Sequence, residues 1–110
     1  MPFDGKSADY KTNTTADVLR RARALIDSPE KWMRAAGMFD APYCVMGAVG
    51  AAERDMGLDP LLDFGFRARE AIRVVIGTRA IPKWNDAPER THADVLRAFD
   101  RAIELAEAEG

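Results

Sequence analysis

The stretch Thr14-Thr15-Ala16-Asp17-Val18-Leu19-Arg20-Arg21-Ala22-Arg23-Ala24-Leu25-Ile26 decides the fold class. Val18, Leu19, Ala22, Leu25 and Ile26 recur at the spacing of one face of an α-helix, with Arg20, Arg21 and Arg23 left to its flanks. Thr14 stands three residues before Asp17, the spacing at which a hydroxyl caps a helix start and an acid faces its amide end. The pattern returns near the carboxyl terminus. Thr91, Ala93, Asp94, Val95, Leu96, Arg97 and Ile103 repeat Thr14, Ala16, Asp17, Val18, Leu19, Arg20 and Ile26. The segments around them do not repeat, so two capped amphipathic helices drawing on a small alphabet explain the match better than duplication does.

Between these helices the periodicity predicts three more. Ser28-Pro29-Glu30 predicts a short helix to about Ala36, stopped by Gly37, with proline at a first-turn position where its missing N–H costs nothing. Asp40-Ala41-Pro42 predicts another through Met56, with Gly57 as its carboxyl cap. Asp59-Pro60 predicts a central helix through Leu61, Phe64, Ala68, Ile72, Val75 and Ile76 to Gly77, although Gly65 between two phenylalanines could mark a bend or a later start. Thr78 to Pro88, with two prolines and no helical period, reads as an ordered loop. The last helix should fray from Glu107 to Gly110, and residues 1–13 read as a flexible arm. No stretch alternates apolar and polar residues as a half-buried strand would. The expectation is an all-α, compact bundle of four to five helices over residues 14–110, with an ordered Trp-Asn-Asp loop before the last helix.

Composition agrees with a globular domain. Of 110 residues, 47% are hydrophobic and 31% charged, enough apolar material for one core without disulfides or a metal. Sixteen basic and eighteen acidic residues interleave to a net charge of -2. That distribution argues against nucleic acid as a partner, since phosphate attraction dominates such binding. The single cysteine, Cys44, and the lack of a signal-like or membrane-spanning run point to the cytoplasm.

Chemistry-bearing patterns are sparse. One Cys and one His cannot supply a structural zinc site, and Gly47 and Gly50 lack the strand-turn-helix setting and following Lys-Ser or Lys-Thr of a phosphate loop. The residues therefore imply no cofactor. Gly47, Ala48, Gly50, Ala51 and Ala52 lighten one helix at about 1 kcal/mol per interior glycine, which close approach of another helix would offset. Phe66 falls off the apolar stripe of its helix and is a candidate contact residue. In Ile81-Pro82-Lys83-Trp84-Asn85-Asp86-Ala87-Pro88, the structural reading has Trp84 plugging the core while Asn85 or Asp86 braces the loop. The alternative has these residues face a ligand or partner.

In combination, Trp32, the element Cys44-Val45-Met46-Gly47-Ala48, and Trp84-Asn85-Asp86 followed by a helix led by Thr91 resemble a family of small bacterial and phage proteins of unknown function. The resemblance spans about residues 14 to 106. It implies a compact helical domain and no particular reaction. The favoured function is a non-catalytic protein-interaction or regulatory module, of phage or prophage origin. Its partner would be another protein or a second copy, met through a helical face bearing Phe66, Trp32 or the Trp84 loop. The alternative is a small-molecule-binding protein or enzyme with Cys44, Trp84, Asn85, Asp86 and His92 around one pocket, which requires Cys44, His92 and Asp86 to share a cleft. A nucleic-acid-binding helical protein is the third reading.

Overall fold

The computed structural model describes residues 13–35, 41–59 and 61–109. Helix α1 spans Thr14–Leu25 and buries the predicted stripe, with Ala16, Val18, Leu19 and Ala22 inaccessible to solvent and Ile26 buried just beyond. Its cap lies one residue earlier than predicted. Asn13, assigned by the sequence to the arm, accepts a hydrogen bond from the Ala16 amide at 3.1 Å and donates to the Ala106 carbonyl at 2.8 Å. The rest of the arm, residues 1–12, lies outside the described residues.

The helix predicted from Ser28 to Ala36 is only a 3-10 turn, Pro29–Lys31. Ser28 makes no side-chain capping bond, and Trp32 leaves the turn in extended conformation. There it forms an isolated parallel bridge with Tyr43. The Tyr43 amide donates to the Lys31 carbonyl at 2.9 Å and its carbonyl accepts from the Met33 amide at 3.2 Å. With both backbone groups of Tyr43 so engaged, the next helix cannot begin at the predicted Asp40-Ala41-Pro42. Helix α2, Val45–Asp55, starts after Cys44, whose Sγ caps it by accepting from the Gly47 amide at 3.3 Å. It ends as predicted at Gly57, which sits at φ 66°, with Gly57 and Leu58 amides returning to the Arg54 and Glu53 carbonyls. This is the Schellman arrangement, for which glycine lacks the Cβ that would clash. Gly37 and Asp40 lie outside the described residues.

Helix α3, Phe64–Ile76, begins later than Asp59-Pro60 predicts. Asp59 accepts from the Leu61 amide through its side chain and from the Leu62 amide through its carbonyl, a local turn in place of a helix cap. Leu61, predicted inward, is 91% exposed. Gly65 marks the later start and is buried. The predicted loop before the last helix contains a helix, α4, Ile81–Asp86. Six residues are too few to display a helical period, and Pro82 occupies the first turn, where it is tolerated. Helix α5, His92–Glu109, opens with reciprocal bonds between Thr91 and Asp94, each 3.1 Å, and runs through the predicted frayed end.

Among the described residues these five α-helices and one 3-10 turn form an all-α bundle without a strand ladder. Helix α3 packs against each of the other four, and α1 lies between α2, α3 and α5. Phe99, Leu19, Ile26, Ile72, Ile81 and Val49 are among the buried side chains of one continuous core. Each contributes about 1.5–3 kcal/mol relative to exposure. Ala48 and Ala52 of the small-residue run are fully buried there. No described helix is long and apolar enough to cross a membrane.

Candidate functional site

Asn85 is the one fully buried polar side chain among the described residues, and all four of its hydrogen-bonding positions are filled. Its Oδ1 accepts from the Trp32 indole Nε1 at 2.7 Å and from the Val45 amide at 3.1 Å. Its Nδ2 donates to the Met33 carbonyl at 3.3 Å and to Asp86 Oδ1 at 2.9 Å. The second pair fixes which end of the amide is oxygen. Val45 is the first residue of α2, so Asn85 satisfies an orphan amide of that helix from outside it. Asp86 Oδ1 also accepts from the amide of Ala35, which stands at φ 53°, at 2.7 Å.

Two arginines close the same region. The carboxyl end of α4 leaves carbonyls without helical partners. Arg34 holds the segment just beyond, donating Nε to the Ala87 carbonyl at 3.0 Å and Nη2 to those of Pro88 and Arg90. Its guanidinium also stands 5.4 Å from the Trp32 ring centroid. Arg90 donates Nε to the Trp84 carbonyl at 2.8 Å and lies 4.0 Å over the Trp84 ring. No local pattern encodes the role of Arg34, whose contacts lie more than fifty positions away.

Around Trp32 the structure therefore gathers five of the predicted site residues. His92 donates Nε2–H to the Ile26 carbonyl at 2.6 Å, and its ring lies 6.2 Å from that of Trp32. Cys44, 8% exposed, adjoins Val45 and uses its sulfur as the α2 cap. Asn85 and Asp86 join the two. The groups that could act on a ligand here are already hydrogen-bonded: the indole N–H, the Asn85 amide and one oxygen of Asp86 to one another, the Nε2 of His92 to the Ile26 carbonyl and the Cys44 sulfur to the Gly47 amide. The cluster braces the 3-10 turn, α2, α4 and the start of α5. Among the described residues no group of three or more metal-capable side chains comes together.

The other two predicted residues lie elsewhere. Trp84 packs against the core without being enclosed by it. It is half-buried, and its ring lines a concavity of about 220 Å³ together with Val75, Ile76, Ala98, Asp94 and three arginines, 90, 97 and 101. Phe66, 59% exposed, lines a separate groove of about 400 Å³. The groove runs between α3 and the end of α5, with Ala71, Val74, Leu105 and Ala106 as its apolar surface.

Three carboxyls are held below their usual range. For Asp94 the first cause is the Thr91 amide bond, assisted by the Thr91 hydroxyl and by Arg97 and Arg90. For Glu70 the cause is hydrogen bonding from Arg79 and then Arg73. For Glu30 it is its own backbone amide and then Ser28.

No curated protein and no solved structure matches this chain. A family match covers residues 11–105, a span that contains Trp32, Cys44, the whole Trp84-Asn85-Asp86 cluster and all but the last turn of α5. The chain belongs to the Family of unknown function (DUF6197).

Proposed function

We propose that the protein is a non-catalytic interaction module of bacterial or phage cytoplasm, and that it pairs with a second copy of itself through the groove between α3 and α5. The observation that carries this reading is the exposure of Phe66 on the rim of an apolar hollow. Of the three predicted contact features, Trp32 is tied to Asn85 and the Trp84 side chain lies under Arg90. Phe66 alone projects from an open helical face.

The groove carries both an apolar knob and small residues, and both a cation and anions, the elements a self-complementary interface needs. Its α3 side carries an apolar knob, Phe66, beside a cation, Arg67, and the small Ala71 one turn on, while α5 contributes the small Ala106 and the anion Glu109. A two-fold interface applies the same patch to both copies. Pairing α3 antiparallel about a point between Arg67 and Glu70 places each Phe66 over the partner's Ala71 and each Arg67 over the partner's Glu70, with Glu109 lining the same groove. Glu109 has no ion-pair partner among the described residues, and the Arg67–Asp63 pair at 3.1 Å is exposed and free to exchange.

A charge-exchange cycle tests the pairing. Arg67→Glu and Glu109→Arg each weaken self-association in sedimentation equilibrium, and the double variant recovers it. A double variant no stronger than either single one, or single variants without effect, contradicts this interface.

A further inference from the structure

We infer that the concavity between the end of α3, α4 and the middle of α5 binds a compact organic anion, an oxyanion head carried on an apolar body. Arg90, Arg97 and Arg101 surround it, whereas Asp94 is the one acid among its lining residues. Asp94 lies 2.5 Å from Arg97 and 3.8 Å from Arg90. Arg101, one helical turn beyond Arg97, has no ion-pair partner among the described residues. Three guanidiniums against one carboxylate leave a local charge of +2 on a chain whose net charge is -2. The carboxyl end of α3 offers roughly half a negative charge in opposition, too little to reverse the sign.

The arrangement is ordered rather than a loose basic patch. The Trp84 carbonyl holds Arg90 through its Nε, and the Trp84 ring lies 4.0 Å beneath its guanidinium, so the direction of its remaining donors is set. Arg90 is 19% exposed, which shields its charge from water and strengthens its attraction for an anion. Beside these donors Val75, Ile76, Ala98 and the Trp84 ring give an apolar wall. A hollow of about 220 Å³ is smaller than the roughly 300–1,000 Å³ of sites for drug-sized ligands, so the body is small. Planar guanidiniums pair bidentately with carboxylate and phosphate alike. Those two heads are the sources to be separated.

Isothermal titration calorimetry of the full chain with phenyl phosphate, benzoate, inorganic phosphate and phenol tests the inference. Saturable binding of phenyl phosphate or benzoate is expected, and the preferred one identifies the head. Inorganic phosphate should bind more weakly than the phosphate ester, and phenol not measurably. Arg101→Gln, which disturbs no observed bond, should weaken binding about tenfold, in line with loss of one charge-assisted contact. Failure of both aromatic anions to bind overturns the inference. So does phenol binding as tightly as they do, or an Arg101→Gln variant of unchanged affinity and unchanged melting temperature.

Discussion

At Asn85, one buried amide answers the Trp32 indole, the first amide of α2, the Met33 carbonyl and the Asp86 carboxylate. Removing it strands donors that water cannot reach, at about 1–3 kcal/mol for each unsatisfied group. Asn85→Ala should therefore lower the unfolding free energy by at least about 2 kcal/mol in urea titration, with loss of packing added. Asn85→Asp is the sharper probe. It keeps both accepted bonds but turns an oxygen toward the Met33 carbonyl and the Asp86 carboxylate. The variant should be destabilised at neutral pH and regain part of the loss in mild acid, where one of the two carboxyls can carry a proton. In sequence, Trp84-Asn85-Asp86 was legible as a brace because short polar side chains after a Trp fix local backbone. Its partners were not, since Trp32 and Val45 stand 53 and 40 positions away. Trp84 itself was placed only in part, because its amphipathic ring both packs against the core and lies under an arginine.

Among the elements, α1 and α5 were legible since three or more turns display a full apolar stripe. The intervening pieces were read too long or missed. A proline after Ser or Asp signals a helix start equally well as it signals a turn, and the bridge bonds of Tyr43 and the local bonds of Asp59 decided for turns. The small-residue run of α2 proves mixed. An added Cβ at Gly50 would meet only the Arg54 and Arg69 side-chain ends at 3.6 and 3.7 Å, ordinary contact distances. Gly50→Ala should thus stabilise the chain by about 0.4–1 kcal/mol, read as a raised melting temperature. Gly65→Ala should gain less, because the Glu53 carboxylate must swing aside. There the Cβ would enter the space of the Glu53 carboxylate, which pairs with Arg69 at 3.4 Å across the α2–α3 contact. Acid sensitivity belongs to the helix ends as well. Folding lowers the pKa of Asp94, so its contribution is complete above its ordinary value and disappears as pH falls through the lower folded value. Stability should decline below the ordinary carboxylate range, and less steeply in Asp94→Asn, whose amide can keep the cap bond but has no charge to lose. A pH series of urea midpoints reads both slopes.

For the whole molecule, the bundle buries one polar anchor, Asn85, beside Trp32 and leaves two different surfaces outward. One is apolar with balanced charges, between α3 and α5; the other is a small basic hollow under Trp84. Sequence separated Phe66 from its own apolar stripe, which is why that face could be anticipated. The hollow could not be, because Trp84, Arg90, Arg97 and Arg101 converge only once α4 is a helix. Surface ion pairs such as Arg21–Asp55 and Arg23–Asp100 tie α1 to α2 and α5 but are exposed and contribute about 0–1 kcal/mol each. They do not account for the choice of fold, which rests on the shared core. Self-pairing through Phe66 is the claim with most consequence for function. Light scattering coupled to size exclusion, over a dilution series of the native chain and of Phe66→Asp, tests it most directly. The expected result is a native chain of twice the monomer mass that dissociates on dilution, beside a variant that stays monomeric and keeps its helical circular dichroism. A native chain of monomer mass at every concentration, or a Phe66→Asp variant that still dimerises, would contradict it.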